Sequence, residues 1–335
     1  MAEKFMTENK PIVALGELLV DLIPGKEGML IEDAGPVIKT ASGSAGIFAC
    51  AVSLLGGNGA FIGKLGRDKL SQMVLKTLQA QGVDTGGISY SEEGQLGLAF
   101  LEYTAEGRNY QYYRKNSVGS RLKPEDLDEK YIASAWGVHF PGMLLELNET
   151  MRESCYQLIK LAKKNNVYLS FDPNIRTELT ENAEALDRLR YVVSQADIVS
   201  PTLEEAQILT QCSEIKDVIR ELHNMGPEVV AITRDKDGAV ISKGGSVAVA
   251  EGINEKAIDP TGAGDTFAAA LCVGLKEQFP LDKLALFCNC AGTLAVKNHG
   301  AIGMAIPDRK ETENYMRRAV CAVKIYDEQT LQRQI

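Results

Sequence analysis

The stretch Asp259-Pro260-Thr261-Gly262-Ala263-Gly264-Asp265-Thr266-Phe267, followed by an apolar run to Leu275, decides how this chain is read. Small residues at 262–264 let backbone N–H groups at a helix start approach a ligand closely. Those unpaired donors, together with the helix dipole, make an anion site. An aspartate inside such a nest is electrostatically out of place unless a proton must be removed there. The economical reading is phosphoryl transfer, in which the amides of Gly262, Ala263 and Gly264 hold developing phosphate charge and Asp265 takes a hydroxyl proton. The competing reading is a capped helix after a glycine turn, since Asp and Gly are common at helix starts.

Outward from this stretch, short apolar runs alternate with helical patterns. Ile12–Leu15, Ala60–Gly63, Gly137–Phe140, Val167–Phe171, Asp197–Val199 and Val229–Thr233 read as buried strands. Ser44–Leu55, Lys69–Gln81 and Asn148–Lys164 read as helices between them, the last behind an asparagine cap. The alternation predicts an α/β fold with a parallel sheet covered on both faces. Two segments break the rhythm. Asp21–Thr40 has no helical period, and Ile88–Arg114 holds strands Leu96–Tyr103 and Tyr110–Arg114 about a turn at Thr104–Gly107. They predict a small β-sheet apart from the main body.

The chain has 335 residues with 36 basic and 45 acidic side chains, a net charge of −9. That balance argues against nucleic acid and anionic membranes as partners. Seven scattered cysteines, with Cys288-x-Cys290 too close for zinc spacing, read as buried thiols in a reducing compartment. Met1–Lys10 is polar and no run is long and apolar enough to span a bilayer, so the expectation is a soluble cytoplasmic protein. Histidines 139, 223 and 299 form no triad or metal spacing.

Other motifs fall at strand ends, where ligands bind in open α/β sheets. Asp21, in Gly16-Glu17-Leu18-Leu19-Val20-Asp21, can accept hydrogen bonds from ligand hydroxyls; the alternative is a loop aspartate after an amphipathic strand. Alternation puts Tyr112 and Arg114 on one face of a strand, where a ring can cover a ligand and a guanidinium can grip a carboxylate; the alternative is a charge-protected edge strand. Asp172-Pro173-Asn174 makes a turn naturally, which leaves Arg176 at a strand's carboxyl end unexplained. Gly57–Leu65 lacks the leading glycine and the Ser/Thr of a P-loop.

The Asp259–Phe267 stretch resembles the second signature of the ribokinase-like, or PfkB, carbohydrate kinases, Asp-Thr/Pro-x-Gly-Ala-Gly-Asp-x-Phe, and matches it throughout. The resemblance implies a three-layer ribokinase-like fold: one kinase unit over 1–335, with a β-lid formed by about 21–40 and 88–116 and often shared across a homodimer. It implies Asp265 as catalytic base, Gly262, Ala263 and Gly264 as the anion hole, and Asp259 and Thr261 as the place of a monovalent cation such as potassium. It implies ATP and Mg²⁺, with Glu205 organising the metal indirectly and Thr233, Gly238 and Asn289 serving the nucleotide. Gly300-Ala301 falls at the cation loop. Asp21, Gly43, Tyr112, Arg114 and Arg176 would meet the sugar. The chain departs from the family pattern at Ser42 and Ile47 in the first signature, at Thr202 before Glu205, and at Asp235 within Thr233–Gly238. Tyr112-x-Arg114, Ser117 and Pro124-Glu125-Asp126-Leu127 look most like 2-keto-3-deoxygluconate kinases, so a small sugar acid is the first expectation for the substrate. Fructose, on the same terminal primary hydroxyl, is the second. A catalytically silent sugar-binding relative is the third.

Overall fold

Strand β1 (Ile12–Leu15) is an inner strand of the main sheet and carries both faces of the core. Its Ile12 and Ala14 point into one apolar cluster, Val13 and Leu15 into another. A strand buried on both sides must be apolar throughout, which explains why these strands read as unbroken runs. The computed structural model describes residues 9–104, 107–175, 183–300 and 302–328. The expectations for Arg176 and Ala301, and for the turn residues Ala105 and Glu106, lie outside them.

In chain order, the strands after β1 are β2 (Leu19–Pro24), β3 (Val37–Ser42), β4 (Gly59–Leu65), β5 (Asp84–Tyr90), β6 (Gly97–Thr104) and β7 (Gly107–Tyr113). There follow β8 (Gly137–Pro141), β9 (Tyr168–Asp172), β10 (Ile198–Val199), β11 (Val229–Thr233), β12 (Ala239–Lys243), β13 (Ser246–Ala250) and β14 (Val323–Asp327). Among the described residues, ten form one sheet in the order β14-β13-β12-β11-β10-β9-β8-β1-β4-β5. Pairing is parallel from β5 to β11 and antiparallel from β11 to β14. Helices Ser44–Leu54, Ala263–Lys276 and Leu281–Ala295 supply one face; Glu149–Lys164, Ala183–Gln195 and Ile215–Met225 supply the other. This is the expected three-layer α/β architecture.

The caps follow the sequence signals. Asn148 accepts from the Met151 amide at 2.9 Å, and Asp68 accepts from Leu70 and Ser71 at 2.9 and 3.0 Å. The antiparallel extension was not anticipated. Its turn is Gly244-Gly245, both at positive φ, the two-residue connection that matches strand twist.

The second sheet runs β3-β2-β6-β7 and covers the carboxyl ends of the main strands. One correction concerns its extent: Ile88 to Tyr90 belong to β5, paired with β4 in the main sheet. The small sheet's second segment therefore starts at β6. Ile23, Ala99 and Leu101 form its own buried cluster, packed against Tyr103, Tyr110 and Tyr112.

Candidate active site

The apolar helix Ala263–Lys276 opens on Gly262, whose φ of 80° only glycine adopts freely. A Cβ placed on Gly264 would meet nothing within 4 Å, so this residue stands against open space, while the Ala263 amide donates to the Pro260 carbonyl at 3.3 Å. Asp265 lies in the first helical turn, is 9% exposed and lines a cavity of about 230 Å³. Ser44 Oγ donates to its Oδ1 at 2.5 Å, which orients the carboxylate from a second helix start. An aspartate in the first turn of a helix can take a proton while the amides of that helix start receive negative charge.

Two further carboxylates converge on the cavity. Asp172, at the end of β9, is pushed well above the usual carboxylate range, first by burial and then by the negative charges of Glu205 and Asp265. Glu205 is tied down by backbone amides, accepting from Ile175 at 2.7 Å and from Thr202 at 2.8 Å. Among the described residues no three Asp, Glu, His or Cys side chains stand close enough to hold a metal directly. A hydrated divalent cation would relieve the mutual repulsion of the three carboxylates, so these residues fit Mg²⁺ bound with its water shell.

On the opposite wall β7 and the residue that follows it present a four-membered stack. The Arg108 guanidinium lies 4.7 Å from the Tyr110 ring centroid, Tyr110 stacks on Tyr112 at 5.3 Å, and Arg114 lies 4.2 Å from Tyr112. Each end is anchored by a buried acid of the main body. Arg114 Nη1 donates to Glu17 Oε1 at 3.0 Å, and Arg108 Nη1 donates to Asp259 Oδ1 at 2.9 Å. Burial raises the Glu17 carboxyl and the Arg114 charge pulls it back. Burial also works to raise Asp259, yet hydrogen bonds from Thr261, Gly300 and Tyr103 outweigh it and hold that carboxyl below its ordinary value.

The cavity wall includes Asp21, Gly43, Tyr112 and Arg114 on the side of the small sheet, and Thr233, Glu205, Thr261, Gly262, Gly264 and Asp265 on the other. Asp21 is buried and pushed up to about 6 by desolvation, against a hydrogen bond from Ser42. The Ser42 departure thus supports Asp21. Gly43 has φ 115°, and a Cβ there would fall 2.5 Å from the Glu17 carbonyl oxygen. Ile47, another departure, lines the cavity as an apolar surface. Thr202 caps helix Leu203–Thr210 in a reciprocal box with Glu205. Asp235 adopts φ 51° where the family pattern has glycine.

Some expected residues stand elsewhere. Ala263 opens the helix and Asp259 is fully buried, so neither forms the cavity wall. Gly238 is a turn residue at φ 90°, where a Cβ would sit 2.2 Å from the Ala250 carbonyl. Asn289 is buried, its Nδ2 donating to the Glu251 carbonyl at 2.9 Å. Neither lines this cavity. Sequence reasoning passed over Glu17, Ser44, Arg108, Tyr110 and Asp172. Arg108 and Tyr110 share the period-2 face of Tyr112 and Arg114, and that parity was the available signal.

Relatives share this chain over nearly their whole length. A probable fructokinase-5 of Arabidopsis thaliana is 29% identical over 93% of this chain and 99% of its own. A probable fructokinase-3 of the same plant is 30% identical over 92% of each. Among solved structures, an E. coli protein provisionally named ribokinase II, in complex with ATP and Mg²⁺, superposes with a TM-score of 0.86 at 28% identity, covering 92% of this chain and 99% of its own. The pattern described as pfkB family carbohydrate kinase matches residues 9–309, and the chain belongs to that family.

Proposed function

We propose that this kinase transfers the γ-phosphate of ATP to the terminal primary hydroxyl of a neutral six-carbon keto sugar, fructose. The observation that carries the choice of sugar is the Glu17–Arg114 pair. The guanidinium expected to grip a substrate carboxylate already has a buried carboxylate 3.0 Å away. A sugar acid would have to displace Glu17 or add a negative charge beside it, and either is costly in a buried site. The fructokinase names of the relatives support the same choice over 2-keto-3-deoxygluconate.

ATP with Mg²⁺ supplies the phosphoryl group and neutralises charge in the transition state. The protein's own groups do the rest. Asp265, oriented by Ser44, takes the hydroxyl proton, and the amides of Gly262, Ala263 and Gly264 receive the phosphate charge. Asp21 accepts sugar hydroxyls, and Tyr112 on the small sheet covers the apolar face of the ring. Asp172 and Glu205 would hold a hydrated Mg²⁺, and Thr233 on the cavity wall, with Gly238 and Asn289 outside it, would serve the nucleotide side. The small sheet acts as a lid. We also infer a homodimer through it, because β3 and β7 are its edges and Val37, Ile38 and Tyr113 are exposed there. A monomer by light scattering overturns the dimer.

The test of the substrate is ADP release with ATP and Mg²⁺ against fructose and 2-keto-3-deoxygluconate. The expected kcat/KM ratio favours fructose by at least about tenfold, roughly 1.4 kcal/mol. A preference for the sugar acid refutes the reading.

A further inference from the structure

The corner formed by Asp259 and Thr261, expected to hold a monovalent metal ion, does not fit one. Asp259 Oδ1 accepts from the Thr261 amide at 2.9 Å, from Thr261 Oγ1 at 2.5 Å and from Arg108 Nη1 at 2.9 Å. Its Oδ2 accepts from Tyr103 Oη at 2.7 Å and from the Gly300 amide at 3.0 Å. A carboxylate offers about four lone-pair sites, and this one already has five donors. Arg108 Nη1 also donates to Thr261 Oγ1, and the Tyr110 hydroxyl lies 3.3 Å from the same oxygen. A metal ion would enter against a guanidinium and find no vacant carboxylate lone pair. The Asp259 side chain is wholly buried, so its charge needs a partner, and Arg108 is that partner.

The partner is remote in sequence. Arg108 stands on β7, 151 residues from Asp259, directly across from Tyr103 on β6. Both donors come from the small sheet and both end on the acid that precedes the Gly262–Gly264 turn. The charge at this corner is therefore delivered only when the small sheet is seated on the main body. Seating then sets the turn that presents the amides, because Thr261 is held between Asp259 and Arg108.

We propose that Arg108 is this kinase's built-in cation: its guanidinium takes the place of a monovalent metal at Asp259 and Thr261, and positions the anion-hole turn when the small sheet closes. The inference rests on the kinase reading above and makes Arg108 a positioning residue. Turnover by the wild-type protein then does not need potassium, and removing Arg108 creates such a need.

The experiment measures kcat, KM and melting temperature in potassium chloride and in choline chloride, at a constant ionic strength of about 0.1 M. For the wild type, kcat and melting temperature should agree between the two salts. For Arg108→Met in choline, kcat should fall by about ten- to a hundredfold, as expected when a catalytic turn shifts by on the order of 1 Å. Potassium should restore part of that kcat and raise the variant's melting temperature, since it binds only the native corner. Arg108→Lys should keep cation-independent turnover. A wild type strongly activated by potassium overturns the proposal, as does an Arg108→Met variant that matches the wild type in choline. If Arg108→Met does not fold, the wild-type salt comparison and Arg108→Lys still decide. If no sugar is phosphorylated, the kinase reading fails separately, and the melting temperatures in the two salts test the corner alone.

Discussion

Replacing Arg114 by methionine strands the Glu17 carboxylate in a buried site. The two side chains are 10% and 3% exposed, so the pair is shielded from solvent. Breaking such a pair by removing one partner costs about 3–5 kcal/mol. With 335 residues and an unfolding entropy of roughly 2.1 cal/mol/K per residue, 1 kcal/mol corresponds to about 1.4 °C. The expected loss is about 4–7 °C in melting temperature. The pH dependence identifies the cause. Burial raises the Glu17 carboxyl and Arg114 opposes it, so loss of Arg114 raises it further. Native Glu17 then keeps a proton that the unfolded chain releases, and the native state binds more protons. Stability relative to the wild type should be best below the ordinary carboxylate pKa and fall as pH rises through the raised folded value. The double variant Glu17→Gln with Arg114→Met removes both charges; it should recover most of the loss and show no such slope. Calorimetry of the three proteins from about pH 4 to pH 8 reads the effect. A single variant as stable as the wild type at pH 8, or a double variant no better than the single, would refute the reasoning.

Three other outcomes are expected. Asp265→Asn should lower kcat by about 10²–10⁴-fold while leaving sugar binding measurable by calorimetry; near-normal turnover would remove the assigned base. Asp21 is raised to about 6 by burial, so sugar affinity should weaken as pH falls through that value and the carboxylate acquires a proton. For stability the sign is opposite: the native state holds the Asp21 proton longer than the unfolded chain, so its contribution to stability declines as pH rises from the ordinary 3.8 to about 6. Asp21→Asn should abolish both trends, and an unchanged pH profile for KM would count against its role. Gly43→Ala should cost at least about 1–3 kcal/mol, because φ is 115° and the Cβ also meets the Glu17 carbonyl; urea denaturation checks it.

Much of this protein was legible locally. Strands buried on both faces must be continuous apolar runs, so β1, β8, β9 and β11 announced themselves with near-correct ends. The glycine turn was equally plain, because the φ of 80° at Gly262 calls for glycine and an acid, Asp265, follows within the first helical turn. The antiparallel strands β12–β14 were missed although Gly244-Gly245 marks their turn, because short apolar runs do not declare their direction.

The partners of the charges were not legible. Arg114 looked like a free hand for a substrate carboxylate, and Asp259 like a metal ligand. The fold sets Glu17 against the first, 97 residues away in sequence, and Arg108 against the second. Asp172, Glu205 and Asp265 likewise meet only because β9, the helix after β10 and the helix at Ala263 end at the same cavity. Sequence by itself determined the α/β layers and the glycine turn before Asp265, since both follow from local periodicity and local backbone demands. Tertiary structure alone decided which charges are spent inside the protein and which remain for a ligand, because that depends on which distant side chains are buried together.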